Sequence, residues 1–144
     1  MLKAAGMNGV QTSPANDDNA RTPRTVFFAE DDDVLRAFVS ESLEKRGFRV
    51  VQFSTGGELT RWLESHVTHP EQALLVSDVY MPGTTVFDLY QKYPDVMGGL
   101  TVIVLTGFGG DALYEQAMAL GVRAVIDKPF EMKVLIDTIH RFCE

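Results

Sequence analysis

Leu74-Leu75-Val76-Ser77-Asp78-Val79-Tyr80-Met81-Pro82-Gly83 is the stretch whose reading decides the fold. The apolar run before Asp78 suits a strand covered on both faces, since a half-exposed strand would alternate. Met81-Pro82-Gly83 ends it, because proline offers no N–H and glycine accepts positive φ. A carboxylate is thus left where a buried strand opens into a loop. Taken alone, an Asp there is a turn former or a helix cap. It becomes a site only if other polar groups converge on it.

Upstream, Thr25-Val26-Phe27-Phe28-Ala29 predicts a first strand, β1, running directly into Glu30-Asp31-Asp32-Asp33. The spacing then predicts a helix, α1, from Val34 to Arg46. Val34, Leu35, Phe38, Val39 and Leu43 form its apolar face, and Gly47 closes it. Asp32 or Asp33 caps its start, where a carboxylate also suits the helix dipole. Phe48 to Phe53 reads as β2. A second helix, α2, opens on Thr55-Gly56-Gly57-Glu58, the spacing of a capping box. It carries Leu59, Trp62 and Leu63 and ends between Ser65 and Thr68, with Pro70 and Glu71 in a loop. Trp62 reads as a packing residue. Ala73 to Ser77 is β3, the opening strand.

Downstream, α3 starts at Thr84 or Thr85, carries Val86, Phe87, Leu89, Tyr90 and Tyr93, and stops at Pro94. Leu100 to Leu105 is β4, Ala112 to Leu120 is α4, closed by Gly121, and Arg123 to Ile126 is β5. The last helix, α5, carries Met132, Leu135, Ile136, Ile139 and Phe142 at helical spacing. Strand and helix alternate throughout. Continuous apolar strands separated by helices predict an α/β fold: a parallel sheet with helices on both faces.

The 144 residues suit one domain with a single core. Residues 1–24 mix Gly, Asn, Ser, Thr, Pro and Asp without apolar period and read as a flexible tail, leaving 25–144 as the domain. A formal charge of −7 argues against direct nucleic-acid binding or an anionic membrane surface. No apolar run is long enough to span a bilayer, and no signal peptide is visible. One cysteine, Cys143, allows no internal disulfide and fits a reducing, cytoplasmic setting. His66 and His69, beside Pro70, read as a helix end and not a metal site.

The polar residues collect on one edge. Glu30 and Asp31 follow β1, Asp78 ends β3, Thr106 ends β4 and Lys128 follows β5. In an open parallel sheet the ligand crevice lies outside the carboxyl ends of the strands. Three carboxylates there repel one another, and burial raises a pKa unless a cation is present. A hard divalent ion such as Mg²⁺ meets that need with carboxylates, waters and phosphate oxygens. Asp78 is then placed to attack phosphorus and form an acyl phosphate. Lys128 and the ion offset charge on the transferring oxygens, and Thr106 has a hydroxyl to donate.

Four motifs carry a resemblance: Glu30-Asp31 after β1, Ser77-Asp78 with Met81-Pro82-Gly83, Leu105-Thr106-Gly107, and Lys128-Pro129-Phe130. From Thr25 to Phe142 the chain resembles the receiver (response-regulator) domain of bacterial two-component signalling. The resemblance implies a flavodoxin-like (βα)5 three-layer sandwich with strand order 2-1-3-4-5. It implies Asp78 as phosphoacceptor, and Mg²⁺ held by Glu30, Asp31, Asp78 and the backbone carbonyl of Tyr80. Thr106 and Lys128 are implied to bind the phosphoryl group, with Gly107 and Phe108 beside the pocket and a cis bond before Pro129.

Some positions depart from the pattern. Val125 occupies the place of the usual aromatic switch residue, three before the lysine. Val86 stands where a small glycine is common. Glu30 replaces the commoner aspartate. Tyr80 and Phe108 occupy variable positions beside the phosphate, so slower self-dephosphorylation is expected than in a Y80A/F108A variant. The implied phosphodonor is a histidine kinase or histidine phosphotransfer protein. No output domain follows α5, so output is expected through binding: a downstream protein, or a homodimer through α4-β5-α5. Three rivals stand beside this reading. One is a phosphorylation-independent interaction module of the same fold. Another is the detached receiver of a longer protein. The third is a metal-dependent phosphatase, whose Asp-x-Asp motif Asp78-Val79-Tyr80 lacks.

Overall fold

Alternate side chains of the central strand enter different cores. Leu74 and Val76 pack with one cluster of buried residues, and Leu75 with the other, as the two-residue period of a strand requires. The structure, a computed structural model, describes residues 25–65 and 73–142. The 1–24 tail, His66, His69, Pro70, Glu71 and Cys143 lie outside the described residues.

Five strands form the sheet: β1 (Thr25–Ala29), β2 (Arg49–Phe53), β3 (Leu74–Asp78), β4 (Thr101–Thr106) and β5 (Ala124–Asp127). Their order is β2-β1-β3-β4-β5, with every neighbour parallel. This is the expected 2-1-3-4-5 order of the flavodoxin-like sandwich. β3 lies at the centre and is buried from Leu74 to Asp78, which explains its unbroken apolar pattern.

The helices on the sheet are α1 (Asp33–Glu44), α2 (Gly56–Ser65), α3 (Val86–Lys92), α4 (Asp111–Leu120) and α5 (Met132–Phe142). One face of the sheet carries α1 and α5, with Val39, Leu43, Leu135 and Ile139 buried against Val26, Phe28, Val76 and Ile103. The other carries α2, α3 and α4, with Leu59, Leu63, Leu89 and Ala117 buried against Leu75, Val102 and Val104. Trp62 is half-buried on that second core and stacks on Phe27.

Three local expectations are refined or corrected. α3 stops before Pro94 as expected, with Tyr93 as its C-cap, but Pro94 then opens a further short helix, Pro94–Gly99. Proline is suited to a first turn, where its missing N–H has no intrahelical partner to lose. The apolar face of α1 is also narrower than its composition. Val34 is 81% exposed and Phe38 57%, while Ser40 is buried beside Val39 and Leu43. Finally, the capping box of α2 is displaced by one residue. Thr55 Oγ1 accepts from the Glu58 N–H at 3.1 Å, but Glu58 Oε1 accepts from the N–H of Ser54 at 2.7 Å.

Candidate functional site

Each polar side chain reaches the carboxyl edge because its strand ends there. β1 and β3 run in register, with Ala29 opposite Ser77, so Glu30 and Asp78 emerge side by side. β4 and β5 place Thr106 opposite Asp127, which brings Lys128 over the same edge. The Lys128 N–H donates to the Thr106 carbonyl at 2.8 Å. Glu30 is 1% exposed, Asp78 5% and Thr106 3%. Three polar groups so deeply buried need partners or a ligand.

Lys128 supplies part of that need. Its Nζ lies 2.6 Å from Asp78 Oδ1 and 2.9 Å from Glu30 Oε1, bridging the two carboxylates. Glu30 Oε2 accepts from the Asp32 N–H at 3.0 Å. Among the described residues no well-directed hydrogen bond reaches Asp78 Oδ1; the ammonium stands close but off the direction a hydrogen bond prefers. Burial pushes the Asp78 carboxyl up, to about 7; Lys128 pulls it back and Glu30 adds to the rise. For Lys128, burial acts downward, but Asp78 and Glu30 outweigh it and hold the pKa above its ordinary value.

Asp31 is exposed and faces the same place. One carboxylate oxygen from each of Glu30, Asp31 and Asp78 lies within 4.8 Å of the others. The cluster is all oxygen, part buried and part open to solvent. That donor set suits a hard cation that keeps some of its waters.

The loops complete the rim. Val79 donates its N–H to Leu105 O at 3.0 Å, and Val86 donates to Val79 O at 2.9 Å. Between them, Tyr80–Met81 pairs antiparallel with Thr84–Thr85. Thr85 then caps α3 in a full capping box with Asp88. The path through Val86 is therefore well supported: Val86 is buried in the core where a glycine would leave space. Thr106 Oγ1 accepts from the Phe108 N–H at 3.0 Å, which leaves the hydroxyl proton for another acceptor. Gly107 is exposed at the start of this loop. Tyr80 is 55% exposed and Phe108 81%, so most of each ring stands in solvent. Val125 is half-buried against the core, and the Lys128–Pro129 peptide is cis.

These observations agree with a match to known proteins. The family model described as the response regulator receiver domain covers residues 26–140. The chain belongs to the receiver-domain family. As a receiver domain it is 28% identical over 118 residues to the response regulator receiver protein CpdR of Brucella abortus, covering 82% of this chain and 95% of that one. It is 31% identical over 130 residues to the transcriptional regulatory protein PdtaR of Mycobacterium tuberculosis, covering 90% of this chain but 61% of the relative. Among solved structures, the receiver domain of the hybrid histidine kinase CckA superposes with a TM-score of 0.65 at 28% identity. That alignment covers 83% of this chain and 99% of the other. The non-phosphorylated HemR receiver domain of Leptospira biflexa gives 0.73 at 25%, covering 84% and 94%.

Two positioning residues escaped the sequence reading. Arg36 donates from Nη1 to the Glu30 carbonyl at 2.8 Å and from Nη2 to Asp33 at 2.7 Å, pinning the acidic turn from behind. Its spacing of three from Asp33 was the available signal. Gly56 was read only as part of a cap. A Cβ there would lie 2.5 Å from Thr84 Cγ2 and 2.9 Å from Pro82 O, so the loop after Asp78 rests directly on it. No local pattern announces such a contact.

Proposed function

We propose that this receiver domain is a phosphoacceptor switch, modified on Asp78 by a histidine kinase or a histidine phosphotransfer protein. The observation that carries this reading is the placement of a buried carboxylate, Asp78, between one ammonium and two further carboxylates. An ionised Asp78 oxygen attacks the phosphorus of a phosphohistidine protonated on its other ring nitrogen; the O–P bond forms, the P–N bond breaks with its electron pair going to nitrogen, and neutral imidazole leaves. Lys128 pairs with a phosphoryl oxygen, and Thr106 donates its free hydroxyl proton to another. Glu30, Asp31, Asp78 and the Tyr80 carbonyl would hold Mg²⁺, which would supply positive charge against the crowded oxygens.

The domain acts on no separate substrate; it carries out its own phosphoryl transfer and hydrolysis. The added charge biases a two-state equilibrium through contacts that differ between the states. Its readout is the binding of a downstream protein or a second copy through α4, β5 and α5. Among the described residues no helix is long and apolar enough to cross a membrane, which accords with a cytoplasmic role.

The test is intact mass after incubation with acetyl phosphate. The expected result is one phosphoryl addition on the wild type with Mg²⁺, and none with EDTA or in D78N. No Mg²⁺-dependent addition overturns the proposal in favour of a phosphorylation-independent interaction module.

A further inference from the structure

The first turn of an α-helix has N–H groups without an intrahelical partner. In α2 one of them is spent on the loop after Asp78. The N–H of Gly56, the first residue of the helix, donates to the Pro82 carbonyl at 3.3 Å. This donor is firmly placed. Glu58 gives its N–H to Thr55 Oγ1 and takes the Ser54 N–H on Oε1, so the helix start is tied from Ser54 to Glu58. Leu59 and Leu63 are fully buried behind it.

The acceptor sits at the tip of a tight turn. Pro82-Gly83 joins Tyr80–Met81 to Thr84–Thr85, which pair antiparallel. Met81 is buried in the same core as Leu59 and Leu63. The base of the turn is held at Val79, through Leu105 and Val86, and the tip is held at Gly56. There is no room for a side chain at that second point. A Cβ at 56 would meet Thr84 Cγ2 at 2.5 Å and Pro82 O at 2.9 Å. Thr84 is β-branched and stiff, and the Pro82 oxygen is backbone, so neither yields without moving the turn. Gly57 is the contrast: a Cβ there would come no nearer than 3.8 Å, to Thr55 Oγ1. Neither glycine has a left-handed φ, so alanine at the two positions differs in space and not in backbone strain.

We infer that Gly56 is a positioning residue for the metal site: through its hydrogen bond to Pro82 and an approach that only glycine allows, the start of α2 sets the place of the turn that carries the Tyr80 carbonyl, and with it the affinity for Mg²⁺. The inference rests on the phosphoacceptor reading for its metal, while the brace belongs to the metal-free protein. α2 gives no ligand of its own; it acts through the turn.

The experiment compares the full chain as wild type, G56A and G57A, none of which alters a proposed ligand. Without metal, amide hydrogen exchange at residue 56 and across Tyr80–Thr85 is expected to rise in G56A and to stay at the wild-type level in G57A. Calorimetric titration with Mg²⁺ alone is expected to show about 10-fold weaker binding in G56A, the low end for groups that orient metal ligands, and wild-type affinity in G57A. Wild-type exchange in G56A overturns the inference. So does wild-type Mg²⁺ affinity in G56A, or an equal loss in G57A, and in both cases the phosphoacceptor reading stands. If the wild type itself binds no Mg²⁺, that reading loses its metal site, and the exchange result alone upholds or overturns the brace. Thermal midpoints separate these effects from general loss of fold. Should G56A not fold, G56A/T84S is compared with T84S, in which the methyl nearest to the new Cβ is gone and the Pro82 carbonyl remains.

Discussion

Lys128 Nζ stands 2.6 Å from Asp78 Oδ1. The contact joins the last motif of the chain to the central strand and places an ammonium where a phosphoryl group is proposed to arrive. It also neutralises a cluster that would otherwise be purely acidic. The energetics of the unmodified protein follow from how well one cation serves buried carboxylates.

It serves them incompletely, and the consequence is a pH dependence. Asp78 rises in the folded state from 3.8 to about 7, chiefly through burial. Between those values the native protein keeps a proton that the unfolded chain releases. The stabilising contribution is therefore full below the unfolded value and is lost as pH rises through about 7. D78N carries no charge at any pH. Its stability relative to wild type is expected to improve from pH 5 to pH 8, by about 1–3 kcal/mol at about 1.4 kcal/mol per unit. Urea midpoints at several pH values check this; a flat difference contradicts it.

Removing the cation acts the other way. K128A leaves the carboxylates of Glu30 and Asp78 facing each other without an ammonium. A cost of about 2–4 kcal/mol is expected, somewhat below that of breaking a fully buried pair, since Lys128 is 25% exposed. Adding D78N to K128A is expected to recover much of the loss. Equal destabilisation of the single and double variants in chemical denaturation would show that the repulsion is unimportant.

A divalent ion should relieve the same repulsion. Mg²⁺ at about a hundred times its dissociation constant is expected to add about 2.7 kcal/mol of stability. The gain is expected to be larger at pH 8 than at pH 6, where a proton on Asp78 competes. D31N removes an exposed carboxylate, so it should leave the metal-free melting temperature within about 1 °C, in keeping with the small effects of surface changes. Its melting temperature should nonetheless respond far less to Mg²⁺, and calorimetry with and without EDTA distinguishes the two effects.

Arg36 offers a test of how the acidic turn is held. Its guanidinium bonds the Glu30 carbonyl, Asp33 and, at 3.3 Å, Gln52 Oε1. R36A is expected to cost about 1 kcal/mol in stability. It should also weaken Mg²⁺ binding by about 10-fold, the low end for residues that orient metal ligands. R36K keeps the charge but not the fork and should restore little of the affinity. Titration of Mg²⁺ by isothermal calorimetry gives the answer; unchanged affinity in R36A would remove the positioning role.

Much of this arrangement was legible in the chain. Continuous apolar runs such as Leu100 to Leu105 announced a parallel sheet, and the order of strands and helices then placed Glu30, Asp78, Thr106 and Lys128 on one edge. What stayed hidden depended on contacts far apart in sequence. Val34 and Phe38 satisfy the helical period of α1 yet lie outside its buried stripe, because the orientation of a helix is set by its neighbours. Gly56 looks like an ordinary cap glycine and Gly109 like an ordinary loop glycine. Only the packing shows that one lies under Thr84 and the other under Asp127. Pro94 reads equally as a stop or as a first turn, and its local sequence does not choose between them.

Trp62 is the sole tryptophan of the chain. Its ring lies 4.3 Å from that of Phe27 on β1 and 5.8 Å from that of Phe53 on β2. The protein therefore carries its own optical gauge of how α2 sits against the sheet. Intrinsic emission can follow unfolding of every variant without a label, and a spectral change during phosphoryl loading would mean that the disturbance had travelled from the carboxyl edge into that aromatic stack.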